Sequence, residues 1–251
     1  MYFHYTSIEA ILGIVTSQSV WMSSLAFMND EMEGFELYDV LREYLGLQEN
    51  THTNNSQLDL VKTSVEAILR WQLCFSASTL KDDISQWRGY TPIGLGACIE
   101  FNDGFLPTEN LKQISCIYDR DEKKNHLKNY ATLSKSGDNL NQILSEQLGI
   151  QSFVEELADA LARFKHQSFR PEQEIRWILS LRGLNDPRAK LSYRPHRLGL
   201  VSYIPITVDL SKVCSITLGP QVPAQNLKTV EDLLIQYDCA GYVTKSSVSL
   251  R

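Results

Sequence analysis

The stretch RPEQEIRWIL, residues 170–179, alternates charged and apolar side chains from Glu174 to Trp177. Side chains of a β-strand point to opposite faces with a period of two, so this alternation predicts a strand. Glu172, Glu174 and Arg176 would then share one face, with Trp177 on the other. Three charged groups on one face are typical either of a solvent-facing strand with a cross-charge pair or of a polar site.

The rest of the chain predicts a mixed set of strands and helices around this stretch. Strand patterns are found at residues 20–24, 73–78, 96–101, 114–118, 200–207, 213–218 and 242–250. Helical patterns are found at residues 8–15, 31–45, 58–71, 82–90, 121–165 (with a break near 136–138) and 229–237, whereas 49–57 predicts a loop. Because strands and helices do not alternate regularly, the order predicts an α+β fold rather than a doubly wound parallel sheet. We expect a single domain over residues 1–251, with a helical insertion around 121–165.

The composition of the chain is that of an ordinary globular protein. Its 251 residues include 43% hydrophobic and 22% charged residues, which is enough for one well-formed core. No apolar run approaches the about 20 residues that a bilayer crossing needs, and the first residues lack the pattern of a secretion signal. We therefore expect a cytoplasmic protein without a membrane partner. The net charge of −6 argues against non-specific binding of nucleic acid by the whole surface.

The cysteines and acidic residues form no metal-binding pattern in the sequence. Five widely spaced cysteines, an odd number, are expected to be reduced and buried. No Cys-x-x-Cys or His-x-x-x-His spacing is present, so no structural zinc site is predicted. The acidic run Asn29-Asp30-Glu31-Met32-Glu33 is more typical of a helix N-terminus than of a metal site.

Positive charge is concentrated in one segment of the second half of the chain. Asp186 is the only acid there, and the basic residues are Arg182, Arg188, Lys190, Arg194 and Arg197. This basic segment is either a solvated loop or an edge that faces phosphate groups or nucleic acid.

A polar segment, His4-Tyr5-Thr6, precedes the first predicted helix. Thr6 and Glu9 have the spacing of a capping box, with Thr6 as the cap. The free N–H groups of a helix start favour an anionic or polar ligand. His4 can then bind a sugar hydroxyl, and the main chain of Tyr5 can hold a carboxamide. The alternative is that Thr6 simply caps the helix and His4 is a core histidine with its hydrogen bonds satisfied.

Two further groups of residues have the chemistry of a binding site. One carboxylate of the pair Glu172 and Glu174 can bind a ribose hydroxyl while the other orients or deprotonates a nucleophile, and Arg176 would keep at least one of them ionised. The predicted strand at 73–78 offers serine hydroxyls, and Tyr90 can stack on a flat heterocycle. The alternative for this strand is an ordinary one whose following loop is held in the core by a tryptophan.

Taken in chain order, these motifs resemble a widespread prokaryotic family catalogued as a domain of unknown function. The motifs are His4-Tyr5-Thr6-Ser7, Met28-Asn29-Asp30 with Glu33, Cys74-Phe75-Ser76-Ala77-Ser78, Gln86-Trp87-Arg88-Gly89-Tyr90, Glu172-Gln173-Glu174-Ile175-Arg176 and Ile216-Thr217-Leu218-Gly219-Pro220. The resemblance covers essentially the whole chain. A weaker resemblance links the opening segment to ADP-ribosyltransferase toxins, especially the DNA-modifying kind. It implies an α+β fold with a split β-sheet core and helices on the outside.

This second resemblance implies that NAD binds as a substrate and that no metal takes part. It assigns the adenosine-side ribose to His4, the nicotinamide amide to the main chain of Tyr5, and contacts to the bound dinucleotide to Thr6. It also gives Ser76 and Ser78 a supporting role and lets Tyr90 stack on nicotinamide. Glu174 would bind the 2′-hydroxyl of the nicotinamide ribose, and Glu172 would serve the acceptor, with Arg176 beside these two carboxylates. The chain departs from the superfamily pattern because no glycine follows His4 and Ala77 stands at the centre of Ser-x-Ser.

Three functions remain open at the level of sequence. The first is an NAD-dependent ADP-ribosyltransferase, a toxin or phage-defence effector that modifies protein, DNA or RNA and has an antitoxin or defence-system partner. Nucleic acid would bind through the basic segment Arg182–Arg197. The second is an NAD glycohydrolase with water as the acceptor. The third is a non-enzymatic module that senses a nucleotide in the same cleft.

Overall fold

The computed structural model describes residues 1–27, 40, 43–44, 52–92, 94–133, 147–196 and 199–249. The strands are β1 (Tyr2–Ser7), β2 (Ser19–Ser24), β3 (Gln72–Ser78), β4 (Gly96–Phe101), β5 (Lys112–Ser115), β6 (Glu174–Ser180), β7 (Ser192–His196), β8 (Gly199–Thr207), β9 (Val213–Leu218) and β10 (Tyr242–Lys245). The helices are α1 (Ile8–Ser17), α2 (His52–Leu69), α3 (Ile84–Tyr90), α4 (Arg120–Leu127), α5 (Gln147–Leu161) and α6 (Asn226–Gln236). Short 3₁₀ helices lie at Leu25–Phe27, Gln167–Glu172 and Leu210–Lys212.

The strands form one ten-stranded sheet in the order β10-β9-β4-β1-β3-β2-β8-β7, with β6 on β3 and β5 on β6. Every described pair is antiparallel except β9 with β10. This mixed fold with a mostly antiparallel sheet agrees with the predicted α+β class and excludes a doubly wound parallel sheet. None of the described helices combines the length and apolar character that crossing a bilayer requires.

Most predicted elements are confirmed, and many of their boundaries differ from the prediction by one to six residues. The strands predicted at 96–101 and 213–218 have those bounds. The loop predicted at 49–57 is wrong from His52 onward, because α2 begins there. The strand predicted at 114–118 lies at Lys112–Ser115, and the closing strand ends at Lys245 rather than at residue 250. The helix predicted from residue 121 is wrong beyond Leu127, where α4 ends and turns follow at 128–132. The predicted break near 136–138 and most of the helix predicted at 31–45 lie outside the described residues.

The N-cap of α1 is Ser7 rather than the predicted Thr6. Ser7 has an extended conformation, and its Oγ accepts a hydrogen bond from the N–H of Ala10 at 3.2 Å. β1 continues to Ser7 because its pairing with β4 runs as far as Ser7 opposite Gly96. Thr6 therefore remains a strand residue opposite Ala97, which leaves its side chain free of the capping role.

Two apolar clusters contain most of the buried hydrophobic side chains among the described residues. The larger one packs α1 and α6 on the sheet and contains Ile11, Phe75, Ile99, Trp177 and Leu234. The second is formed mainly by helices α2, α4 and α5, so the predicted insertion at 121–165 packs together with α2. None of the five cysteines forms a disulfide, and four of them are buried, in agreement with the prediction.

The sheet opens along one edge of β3. On the other edge, β6 pairs with the whole of β3, from Gln72 to Ser78. The open edge is shared, because β1 pairs with it only at Ser78 and β2 only at Leu73 and Cys74. Since α1 connects β1 to β2, the two strands diverge from β3 and leave the middle of this edge without a strand among the described residues. This opening, which we call the split, positions the candidate site.

Candidate functional site

A cavity of about 500 Å³ lies at the split. Its walls come from β1, β2, β3, β6, β7, β8, α3 and the 3₁₀ helix Gln167–Glu172. The volume is within the range typical of small-molecule sites, roughly 300–1,000 Å³. Every site residue predicted from the sequence lines this cavity: His4, Tyr5, Thr6, Ser76, Ser78, Tyr90, Glu172, Glu174 and Arg176. Their assigned roles remain predictions.

Four charged side chains, Lys165, Glu172, Glu174 and Arg176, form what we call the ionic cluster. Lys165 Nζ donates to a carboxylate oxygen of Glu172 and to Glu174 Oε2, the latter at 2.6 Å. Arg176 Nε donates to Glu174 Oε1 at 2.8 Å, and its Nη1 donates to the carbonyl of Ala162 at 3.0 Å. Glu174 is only 6% exposed and Arg176 only 1%. The interpretation of this row as a solvent-facing strand is therefore wrong.

Glu172 reaches the cluster by a different route from the one that the period of two predicts. The strand begins at Glu174, and Glu172 ends the preceding 3₁₀ helix. Gln173 between them has a left-handed conformation with φ 43°, which turns the chain into β6. Ser78 Oγ donates to the Glu172 carbonyl at 2.6 Å, and Tyr90 Oη donates to Glu172 Oε2 at 2.6 Å. The turn and these two contacts hold the Glu172 carboxylate beside that of Glu174.

The ionic interactions within the cluster offset the free-energy cost of burying its charges. Burial disfavours the ionised form of Glu174, but the charges of Arg176 and Lys165 outweigh it and hold the pKa of this carboxyl well below its usual range. Burial also lowers the pKa of Lys165, and the carboxylates of Glu174 and Glu172 together with Tyr90 outweigh that effect and raise it. Burial raises the pKa of the Tyr90 phenol. At neutral pH Glu174 and Lys165 are therefore ionised, and Tyr90 acts as a hydrogen-bond donor.

His4 bridges the split. Its Nδ1 lies 2.9 Å from the carbonyl oxygen of Ser76 on β3, and its ring centroid lies 4.6 Å from that of Phe75. A carbonyl can only accept, so Nδ1 carries the proton and Nε2 is an acceptor in the neutral ring. Burial lowers the pKa of His4, which keeps the ring neutral at pH 7. The core-histidine alternative and the binding hypothesis are thus both compatible with the position of this residue.

Both the hydroxyl and the ring of Tyr5 contact other parts of the protein. Its hydroxyl donates to the Leu80 carbonyl at 2.8 Å and accepts from the Asp83 N–H at 3.0 Å. Its ring meets Trp87 edge-on at 4.9 Å. These contacts fix the loop before α3, so only the main chain of Tyr5 is suited to the ligand contact that the resemblance implies.

Several residues that line the cavity were not predicted from the sequence, namely Trp21, Gln86, Lys165 and Phe169, whereas Arg194 was predicted only as part of the basic segment. Gln86 precedes Tyr90 by one helical turn and therefore shares its face of α3, a spacing that could have suggested it. Lys165 follows α5, and its N–H donates to the Ile117 carbonyl at 3.1 Å. No sequence motif marks Lys165, because its partners are brought to it only by the fold.

Two buried donors of the cavity have no hydrogen-bond partner within the part of the chain that the structure describes. They are Gln86 Nε2 and Arg194 Nε. Gln86 is 3% exposed. Buried donors are nearly always satisfied in proteins, so two unpaired ones on residues that line the same cavity indicate that it accommodates hydrogen-bond acceptors.

The described residues of the basic segment lie in different environments. Arg188 pairs with Asp186 at 2.7 Å, whereas Arg182 and Lys190 are exposed. Arg194 lies in β7 and lines the cavity. Arg197 is outside the described residues. Within the described ranges, no group of three or more His, Cys, Asp or Glu residues has the arrangement of a metal site.

Fold and site together define a mixed α and β protein with a buried ionic cluster at a split in its sheet. The family model described as "Protein of unknown function (DUF2971)" matches residues 86–177. This stretch contains Gln86, Tyr90 and all four members of the ionic cluster, so the chain is similar to that family across much of one cavity wall. No curated protein and no solved structure matches the chain.

Proposed function

We propose that this protein cleaves the bond between nicotinamide and ribose in NAD and transfers ADP-ribose to a macromolecule, within an ADP-ribosyltransferase-like split-sheet fold. The observation that supports the proposal is that His4 on β1 and Glu174 on β6, far apart in sequence, line one cavity at the split. Had these side chains lain on different sides of the molecule, no single dinucleotide could have contacted both.

The hydrogen-bonding capacity of Glu174 supports the role that the proposal gives it. A carboxylate has about four acceptor positions. Arg176 Nε occupies one on Oε1, and Lys165 Nζ and Arg176 Nη2 occupy two on Oε2. One position on Oε1 is left for the 2′-hydroxyl of the nicotinamide ribose. The neutral His4 ring offers Nε2 as an acceptor for the other ribose.

The reaction transfers the ADP-ribosyl group, through the C1′ atom of its ribose, from nicotinamide to the acceptor. The C1′–N bond breaks, its electron pair leaves with the nicotinamide nitrogen, and the ribose becomes oxocarbenium-like and positive. The acceptor then forms the new bond to C1′ with its lone pair, and Glu172 takes the proton that the acceptor loses. A fixed carboxylate at the 2′-hydroxyl interacts more strongly with this charged state than with bound NAD, which accelerates the step.

Labelled NAD tests the proposal directly. The purified protein is incubated with NAD labelled in its adenylate part, together with DNA, RNA or cell protein as acceptor. We expect label to enter one class of macromolecule and nicotinamide to be released. Glu174→Gln should lower the rate by about 10²–10³-fold, the effect of removing one group that stabilises a charged transition state. Glu109→Gln changes an exposed carboxylate outside the cavity and serves as the matched control.

The other two hypotheses correspond to different outcomes of the same experiment. Free ADP-ribose without any labelled macromolecule would identify a glycohydrolase instead. Nucleotide binding without release of nicotinamide would identify a sensor module. Label transfer that survives Glu174→Gln would contradict stabilisation of the charged ribose by Glu174.

A further inference from the structure

Trp21, Tyr203 and Arg194 lie in three successive strands, β2, β8 and β7, beyond the split. The rings of Trp21 and Tyr203 are stacked, with centroids 4.4 Å apart and planes 28° from parallel. Trp21 nevertheless remains 47% exposed. Arg194 Cζ lies 5.7 Å from the centroid of the Trp21 ring. Trp21 and Arg194 both line the cavity.

Arg194 and Arg176, which lie on opposite sides of the split, differ in their hydrogen bonds. The guanidinium of Arg176 donates to Glu174 and to a main-chain carbonyl. The Nε of Arg194 is buried and has no partner among the described residues. No carboxylate within 4 Å forms an ion pair with Arg194 in the described structure either. Arg194 is half-exposed as a residue, but a guanidinium with one buried unpaired N–H and no counter-charge among the described residues is suited to an anionic acceptor.

We infer that Trp21 and Arg194 form a subsite for the base and the phosphate of an adenine nucleotide. The base would stack on the exposed part of the Trp21 indole. The ring of Tyr203, which is itself stacked on Trp21, holds the indole in place. A phosphate oxygen would accept hydrogen bonds from the planar guanidinium of Arg194, whose fork of donors matches phosphate geometry. Aromatic rings on which bases stack, combined with arginine, are a general means of binding nucleotides.

The subsite also fixes the direction of the ligand in the cavity. Gln86, the second unpaired donor, lies on α3, which contacts β1, and Arg194 lies on β7, at the far side of β2 and β8. The ionic cluster and Gln86 are therefore separated from Trp21 and Arg194 by the split. If the proposed function holds, the adenylate of NAD lies at Trp21 and the nicotinamide riboside at the ionic cluster. The subsite itself requires only a nucleotide, not bond cleavage.

Equilibrium binding of AMP and adenosine by the whole chain tests the subsite. Binding is followed by calorimetry and by quenching of tryptophan fluorescence, since Trp21 is strongly exposed whereas Trp87 and Trp177 are buried. We expect wild type to bind AMP at least tenfold more tightly than adenosine. Arg194→Met should lower the affinity for AMP at least tenfold and bring it close to that for adenosine. Trp21→Leu should weaken both ligands and abolish the quenching.

Arg70→Met is the matched control, because it removes the same charge from an exposed position outside the cavity and outside the basic segment. It should leave the affinity for AMP unchanged. Equal binding of AMP by wild type and Arg194→Met would overturn the inference, as would equal binding of AMP and adenosine by wild type. The second comparison uses only the unmodified protein, so it decides the matter even if Arg194→Met does not fold.

The failure of this inference can be told apart from the failure of the proposed function. Phosphate-dependent binding through Arg194 without any release of nicotinamide would leave the subsite standing and remove the enzyme. Cleavage of NAD with a KM that Arg194→Met does not change would leave the enzyme standing and remove the subsite.

Discussion

Arg176 keeps a full charge at a position where only 1% of its surface is exposed. Taking an ion out of water is costly, and the cost is offset only if its hydrogen bonds and charge are matched inside the protein. Glu174 and the carbonyl of Ala162 provide that match. Glu174 in turn depends on Arg176 and Lys165, so the members of the ionic cluster stabilise each other and no single one of them can be removed without cost.

Replacing Arg176 with methionine should therefore destabilise the fold strongly. Removing one partner of a buried ion pair typically costs about 3–5 kcal/mol, because the remaining charge stays buried. The free energy of unfolding is measured by urea denaturation. Lys228→Met is the control, since Lys228 pairs with Asp232 on an exposed surface and surface pairs contribute little. A loss for Arg176→Met no larger than that of the control would contradict the interdependence of the cluster.

The stability of the protein should also depend on pH through Glu174. Its pKa is lower in the folded protein than in the unfolded chain, so the folded state favours the ionised form. This contribution is present above the ordinary carboxyl value of about 4.3 and is lost as the pH falls through the folded pKa. The raised pKa of Lys165 acts in the opposite range, since its contribution is lost only as the pH rises through the folded value.

We accordingly expect the unfolding free energy of wild type to fall more steeply between pH 5 and pH 3 than that of Glu174→Gln. Urea denaturation at a series of pH values gives both curves. Glu109→Gln, at an exposed position, should follow wild type. Parallel curves for wild type and Glu174→Gln would show that Glu174 has no lowered pKa in the folded protein.

At the scale of elements, the close approach of β1 and β4 limits what residue 96 can be. A Cβ at Gly96 would lie 2.2 Å from the carbonyl oxygen of Thr6, a backbone atom that cannot move without disturbing β1. Gly96→Ala should lower the unfolding free energy by about 1–3 kcal/mol, the usual cost of overpacking.

Gly13→Ala in α1 is the opposite case, because its Cβ would meet nothing within 4 Å. It should raise stability by roughly 0.5–1 kcal/mol, since alanine suits a helix interior better than glycine does. Chemical denaturation of the two variants checks both signs.

The start of α1 gives a second prediction at this scale. Ser7 rather than Thr6 caps the helix, so Ser7→Ala should lower the unfolding free energy by about 1 kcal/mol. Thr6→Ala should leave helix capping intact. Denaturation curves of both variants decide between the two caps, and an equal loss in both would contradict the assignment of Ser7.

Elements were predictable from the sequence where local pattern and burial agree. The strands at 96–101 and 213–218 are short apolar runs with β-branched residues, and their bounds were predicted to the residue. β7 was not predicted, because Ser192–His196 is polar and contains a proline, and its extended conformation depends on pairing with β8. The predicted cap was off by one because β4 extends β1 by pairing.

At the scale of the whole molecule, the split could not be predicted from local pattern. It arises because β1 and β2 share one edge of β3, and that sharing is a property of long-range pairing. The motifs nonetheless indicated which residues surround it, since polar side chains in otherwise apolar strands are costly unless they meet one another. Lys165 had no such signal, because a single lysine after an amphipathic helix is ordinary in sequence.

The cavity exists only in the folded chain, because its walls combine residues from Phe3 to Val201. A ligand that fits it must therefore stabilise the whole molecule. At a hundred times its dissociation constant, a ligand adds about 2.7 kcal/mol to the free energy of unfolding. For a chain of this length, that corresponds to a rise in Tm of roughly 5–10 °C. We expect ADP-ribose, which has no nicotinamide bond to cleave, to produce this rise in a thermal unfolding experiment. Arg70→Met, at an exposed position outside the cavity, should show the same rise, and Arg194→Met a smaller one. An unchanged Tm with millimolar ADP-ribose would mean that this cavity does not hold a nucleotide, whatever the residues around it can do.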